Sequence, residues 1–193
     1  MNESGTTELI ETFLGSTQVF ARALTNVLEA EALHEAAEAQ LTSTQAAALR
    51  LINQSDCKTL SDLAALLDVS NAAACKMVDR LDRRGLIVRR QGKEDRRETE
   101  LSLTELGQEL LKKYENLKTG MLERTFSDFP PEELRRTASL LSRLSATILN
   151  QSRKPDETCL QCYMYARQKC VAKGTLRTGC RNLSRIRSER RAS

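Results

Sequence analysis

Residues 70–90 read SNAAACKMVDRLDRRGLIVRR, and this stretch decides the fold. Ser70 is placed to cap a helix that runs to about Arg84, and Gly85 stands where such a helix stops. The periodicity then changes. Residues 86–90 and 99–103 are short β-like runs on either side of the charged segment 91–98, the pattern of a hairpin. Upstream, Thr59 to Leu67 reads as a short amphipathic helix, and Asp68-Val69 makes a tight connection into the helix at Ser70. Two short helices joined by a tight turn, then a hairpin, form a winged helix-turn-helix when the second helix is basic and exposed. From residue 70 to residue 97 there are nine Lys/Arg (Lys76, Arg80, Arg83, Arg84, Arg89, Arg90, Lys93, Arg96, Arg97) against Asp79, Asp82, Glu94 and Asp95, a net of +5.

A helix about 10–12 Å wide fits the major groove of duplex DNA, and a basic hairpin beside it reaches the adjacent minor groove. The bland reading is a solvated, salt-bridged face. The order of helix, turn, basic helix and basic hairpin favours DNA.

Working outward, the helical spacing of Leu9, Ile10, Phe13, Leu14, Phe20, Leu24, Val27 and Leu28 predicts one long helix from residue 7 to about 40. It faces either the core or a dimer interface. Residues 41–52 open with cap residues and continue in strong helix formers, and a short turn follows around residues 55–57. Downstream, Thr104-Glu105-Leu106-Gly107 starts a helix that reaches about Phe126. Pro130-Pro131-Glu132-Glu133 starts a last one, with Pro near the first turn and acids on the positive end of the dipole. It is expected to carry Leu134, Leu140, Leu141, Leu144 and Ile148 inward and to end near Asn150. The fold class expected is mainly α with a small β-hairpin wing. The division is 1–40, a dimerisation helix; 41–103, the winged helix-turn-helix; 104–150, further dimerisation helices; and 151–193, a basic cysteine-rich tail.

Residues 70–90, the wing sequence Glu94-Asp95-Arg96-Arg97, and Leu101-Ser-Leu-Thr-Glu-Leu-Gly107 together resemble the MarR family of winged-helix transcription regulators. The resemblance covers roughly residues 7–150 and leaves out the tail. It implies a homodimer held by the first helix and the last two helices of the body, with two lobes on consecutive major grooves of double-stranded DNA. It puts Ser70, Asn71, Lys76 and Arg80 near phosphates and bases, and Lys93, Asp95, Arg96 and Arg97 on the wing. Asp95 would orient a wing arginine, Arg97, into the minor groove, a carboxylate fixing the guanidinium in one geometry. The chain departs from the pattern at Ala72, Ala73 and Cys75, where relatives usually carry polar side chains. Alanine touches a thymine methyl but donates nothing to a base, so direct readout is expected to be sparse. Many members respond to small aromatic ligands, so an effector of that kind is one expectation. A few carry an added cysteine cluster that responds to oxygen or redox state.

The tail separates by charge and by cysteine. From residue 153 to the end there are 11 Lys/Arg and 3 Asp/Glu, a net of +8, whereas residues 1–150 carry 19 against 23, a net of −4. Such a block meets something anionic or is simply solvated. Cys159, Cys162, Cys170 and Cys180 fall within 22 residues. In a reducing setting a cluster of this kind points to metal rather than to a disulfide framework. A C-x2-C pair with two wider cysteines completes four thiolate ligands. Zinc, an iron–sulfur cluster and reduced thiols without metal all compete. Structural zinc sites commonly use two close pairs, so the single pair here favours a larger cluster, [4Fe–4S]. Four thiolates leave that core at −2, which Arg167, Lys169, Lys173, Arg177 and Arg181 would offset. Cys57 and Cys75 are read as packing residues rather than oxidation switches, and His34 as a surface residue rather than a ligand.

No Gly-rich phosphate loop, no paired carboxylates in an apolar setting and no histidine placed for acid–base work point to an enzyme. No apolar run approaches the roughly 18 residues of a membrane span, and the start lacks a signal-peptide layout, so a cytoplasmic setting is expected. The rival classes are a small-ligand-responsive repressor with a structural zinc site in its tail, and a helical interaction module that does not bind DNA.

Overall fold

A computed structural model describes residues 3–37, 41–53, 59–91 and 99–151. Helix α1 (Glu3–Ala23), a π-helical turn (Leu24–Leu28) and α2 (Glu29–Ala37) run on from one another. One uninterrupted helix was the expectation; the π turn is a feature its periodicity did not disclose. The Glu29 N–H donates to the Leu24 carbonyl, five residues back. The Thr25 hydroxyl donates to the carbonyls of Ala21 at 3.0 Å and Arg22 at 3.3 Å. One extra residue in a turn rotates everything after it by about 100°. The two faces therefore part company. Leu9, Ile10, Leu14, Phe20 and Val27 are exposed, while Ala32, Leu33, Ala36 and Ala37 are buried where α2 packs on the later helix α6 (Glu105–Phe126).

The central unit is held by local caps. Ahead of α3 (Ser43–Asn53), the Gln45 N–H donates to Thr42 Oγ1 at 3.2 Å, and the Thr42 N–H donates to Gln45 Oε1 at 3.0 Å. Thr59 and Asp62 form the same reciprocal box ahead of α4 (Leu60–Leu67). Both satisfy otherwise orphaned backbone donors. Asp68 is left-handed, at φ 52° and ψ 48°. The Val69 N–H donates back to the Ala64 carbonyl at 3.0 Å, so the chain turns within two residues. Helix α5 (Asn71–Arg83) follows, with Ala74, Val78 and Leu81 fully buried. Burial of Val78 and Leu81 contributes about 1.5–3 kcal/mol each. That fixes which side of α5 faces the body and which faces out.

Strands β1 (Ile87–Gln91) and β2 (Thr99–Leu103) pair antiparallel, from Ile87 opposite Leu103 to Gln91 opposite Thr99. Thr59 bridges to Glu100, tying the start of α4 to the hairpin. Leu86, expected in the strand, precedes it. Its carbonyl accepts from the Thr104 N–H at 3.1 Å, and Thr104 Oγ1 donates to the carbonyl of Gly85 at 2.5 Å. Gly85 stands at φ +66°, the left-handed stop its position suggested. Thr104 then caps α6, its hydroxyl accepting from the Gly107 N–H at 3.1 Å. The core joins Leu49 and Ile52 of α3, Leu63 of α4, Val78 and Leu81 of α5, Ile87 and Leu101 of the hairpin, and Leu111 and Tyr114 of α6. The architecture is mainly helical with one two-stranded hairpin, as the residue pattern indicated.

One expectation fails within the single chain. Helix α7 (Pro131–Gln151) forms where the prolines and acids placed it, but its apolar stripe does not point inward. Leu134, Leu140, Leu144 and Ile148 are 36–62% exposed, and Leu141 is half-buried. Periodicity identifies an apolar stripe; it does not say what covers it.

Candidate nucleic-acid interface

The exposed side of α5 is set by its buried side. With Ala74, Val78 and Leu81 inward, the outward face carries Ala72, Ala73, Lys76, Arg80 and Arg83. Ser70 takes the extended conformation at the start, and its Oγ accepts from the Ala73 N–H at 3.2 Å. Its hydroxyl is thus committed as acceptor to the helix, leaving the O–H free to donate. Asn71, Lys76 and Arg80 are exposed and hold no intramolecular partner among the described residues. Arg83 Nε donates to the Asp79 carbonyl of its own helix at 3.2 Å, which keeps its charge at the surface. Lysine and arginine ends that are not spent on internal carboxylates are what a phosphate backbone requires.

Arg89 behaves differently. Counted among the nine basic residues of this region, it reaches back from β1 to α5. Its NH2 group donates to Asp79 Oδ1, and its Nε lies 3.3 Å from Asp82 Oδ2. The second contact is an ion pair without hydrogen-bond alignment, since Nε is inaccessible and has no acceptor among the described residues. Cys75 is a half-buried free thiol, with Sγ 4.0 Å from Asp79 Oδ2. Arg90, next on the strand, is exposed.

Behind the reading head, a polar link ties α3 to the long helices. Arg50 meets Glu115 Oε1 at 2.7 Å and lies over the Tyr114 ring at 5.6 Å. Lys118 sits 5.9 Å from the same ring and pairs with Glu29 Oε1 at 2.9 Å. Burial is the largest single influence on Arg50 and would lower its pKa, but the charges and hydrogen bonds of Glu115 and Tyr114 together outweigh it and hold the guanidinium above its ordinary value. Burial, aided by the charge of Glu29, pushes the buried Tyr114 hydroxyl up, against the opposing pull of Arg50. Sequence reading missed this link, because Arg50 and Glu115 are 65 residues apart and carry no joint motif.

Of the other expected site residues, Lys93, Asp95, Arg96 and Arg97 lie outside the described residues, as do Cys57 and the four tail cysteines Cys159, Cys162, Cys170 and Cys180. Among the described residues no group of side chains could hold a metal ion. His34 is an exposed residue of α2. No helix among the described residues is long and apolar enough to cross a membrane.

Residues 41–99 match the model of the MarR family. The chain is 28% identical over 136 residues to the HTH-type transcriptional regulator YkoM of Bacillus subtilis, covering 70% of this chain and 88% of the relative. It is 27% identical over 135 residues to the HTH-type transcriptional repressor MdtR of the same organism, covering 68% and 85%. The solved structure of the YusO protein from Bacillus subtilis is similar at a TM-score of 0.55 and 26% identity, over 70% of this chain and 96% of that one. The relatives are regulators of transcription and not enzymes.

Proposed function

We propose that this chain, whose residues 41–99 match the MarR family model, is a DNA-binding transcription regulator that works as a homodimer on duplex operators under the control of its cysteine tail. The observation that carries the DNA reading is the outward face of α5, where Asn71, Lys76 and Arg80 stand without a partner among the described residues, beside Ala72 and Ala73. Two such helices reach successive major grooves when the chain is paired, and Lys93, Arg96 and Arg97 with Asp95 extend the contact into the minor groove. The exposed apolar stripes of α1 and α7 support the pairing. Large apolar faces of this kind are rare on monomers.

The regulatory part rests on the donor set of the tail. One C-x2-C pair and two wider cysteines supply four thiolates, and five nearby cations balance the charge of a [4Fe–4S] core. Such a group, when bound, supplies sensitivity to oxygen or redox state. The tail follows α7 directly, so holding or releasing Cys159, Cys162, Cys170 and Cys180 alters the constraint on the end of that helix. A shift of α7 changes the separation of the two reading heads, a two-state element biased from outside the DNA site. The setting is the cytoplasm, where operators are.

Anaerobic purification with iron and acid-labile sulfide analysis tests the tail, alongside duplex affinity in air and under argon. Bound iron and sulfide, with Cys159→Ser and Cys170→Ser abolishing both the cofactor and the difference in affinity, is the expected result. A colourless zinc protein would overturn the cluster and favour a structural site. Absence of salt-dependent duplex binding in every metal state would overturn the DNA reading itself.

A further inference from the structure

A helix that enters a groove lined with phosphates is hindered by carboxylates on its surface. On α5, Asp79 and Asp82 lie one turn apart, with side chains 47% and 44% exposed, among Lys76, Arg80 and Arg83. None of the three cations on the helix pairs with either carboxylate, and Arg83 is turned to the Asp79 main-chain carbonyl instead. Among the described residues, the only charge paired with both belongs to Arg89, on the neighbouring strand.

We infer that Arg89 is a positioning residue for DNA binding: it offsets part of the charge of Asp79 and Asp82 and ties the wing strand to the reading helix, and it does not contact phosphate. This rests on α5 being the DNA-facing helix. A guanidinium spreads its charge over a wide plane, so one end donates to Asp79 while the Nε side lies beside Asp82, a span that the compact lysine ammonium does not cover. The same contact joins α5 to β1, so the angle between reading helix and wing is set by the pair of carboxylates that would otherwise repel the ligand. One net positive charge lost from Arg89 therefore exposes two negative ones.

The test uses the full chain and a labelled duplex selected by that chain from a random-sequence pool, with affinity measured across salt concentration. Binding by the wild type reports on the DNA reading, and the variants report on Arg89. Arg89→Gln should weaken binding about tenfold or more, because like charges then face the phosphates. Combining it with Asp79→Asn and Asp82→Asn should restore near wild-type affinity with an unchanged salt slope. Arg89→Lys, which keeps the charge but not the span, should fall between. If Arg89 contacted phosphate, the triple variant would lose about 0.9 from the slope of log affinity against log salt, and that outcome overturns the inference. The triple variant removes all three charges of the cluster together, so it decides the question even if Arg89→Gln alone fails to fold.

Discussion

The backbone of Gly107 lies directly against the carbonyl oxygen of Leu86, where a β-carbon would also come within 3.0 Å of the carbonyl carbon. The contact seats the first turn of α6 on the base of the wing, next to the Thr104 bonds to Gly85 and Leu86. Gly107→Ala should therefore destabilise by about 1–3 kcal/mol through overpacking, although alanine gains up to about 1 kcal/mol in helix propensity. Gly120→Ala in the same helix meets only a distant arginine end at 3.8 Å and should stabilise by about 0.5–1 kcal/mol. Urea unfolding of the two variants checks the opposite signs. A stabilised Gly107→Ala would mean that the close approach is not retained in solution.

The Arg50–Glu115 pair joins the reading head to α6 at 2.7 Å, with Arg50 largely buried and Glu115 part exposed. Glu115→Gln leaves the guanidinium without its countercharge and should lower stability by about 1–2 kcal/mol, less than for a fully buried pair because water reaches the carboxylate. A double-mutant cycle with Arg50→Met measures the coupling. Zero coupling would show the pair to be a surface accident.

Alkaline pH should act through Tyr114. Its folded pKa is raised above the ordinary 10.0 by burial. The protonated hydroxyl is therefore favoured by folding, and the associated stability is intact below pH 10.0. It is lost as pH rises through the folded value, because the unfolded chain ionises first. Tyr114→Phe should flatten the fall in stability above pH 10.0, read from denaturation midpoints across that range.

Duplex binding should depend on Lys76 and Arg80 of α5, which have no partner among the described residues. Lys76→Ala and Arg80→Ala are each expected to reduce the salt slope by about 0.9 and to weaken binding at low salt. Arg135→Ala on α7, an exposed arginine already paired with Glu132 at 3.1 Å, should leave both unchanged. Equal effects from all three would point to diffuse attraction rather than a reading face.

Pairing of chains should fail when charge is placed on the α7 stripe. Leu140→Glu and Leu144→Glu, both on exposed positions of the single chain, should leave the helices intact while weakening association about a hundredfold or more, since symmetry brings each charge in twice. Sedimentation at several concentrations and circular dichroism separate the two effects. An unshifted dimer would move the interface elsewhere.

By itself, the sequence determined the order of elements and most of their ends. Thr42, Thr59, Ser70 and Thr104 cap the helices they precede, Gly85 stops α5, and the change of period at residue 86 announces the hairpin. These are short-range effects, with each cap and stop bonding to atoms within a few residues, so they are visible in a linear string. The outward face of α5 was legible for the same reason, given which residues must be buried.

Tertiary structure alone decided what distant groups do to one another. Arg89 counts as a DNA-facing cation by composition, yet the crossing of β1 over α5 delivers it to Asp79 and Asp82. Gly107 belongs to a recognisable motif, but its reason is the Leu86 carbonyl, 21 residues away in the chain. The π turn at Leu24–Leu28 redirected a stripe that spacing had made continuous. Coulomb and steric terms depend on separation in space, and sequence order encodes separation only along the chain.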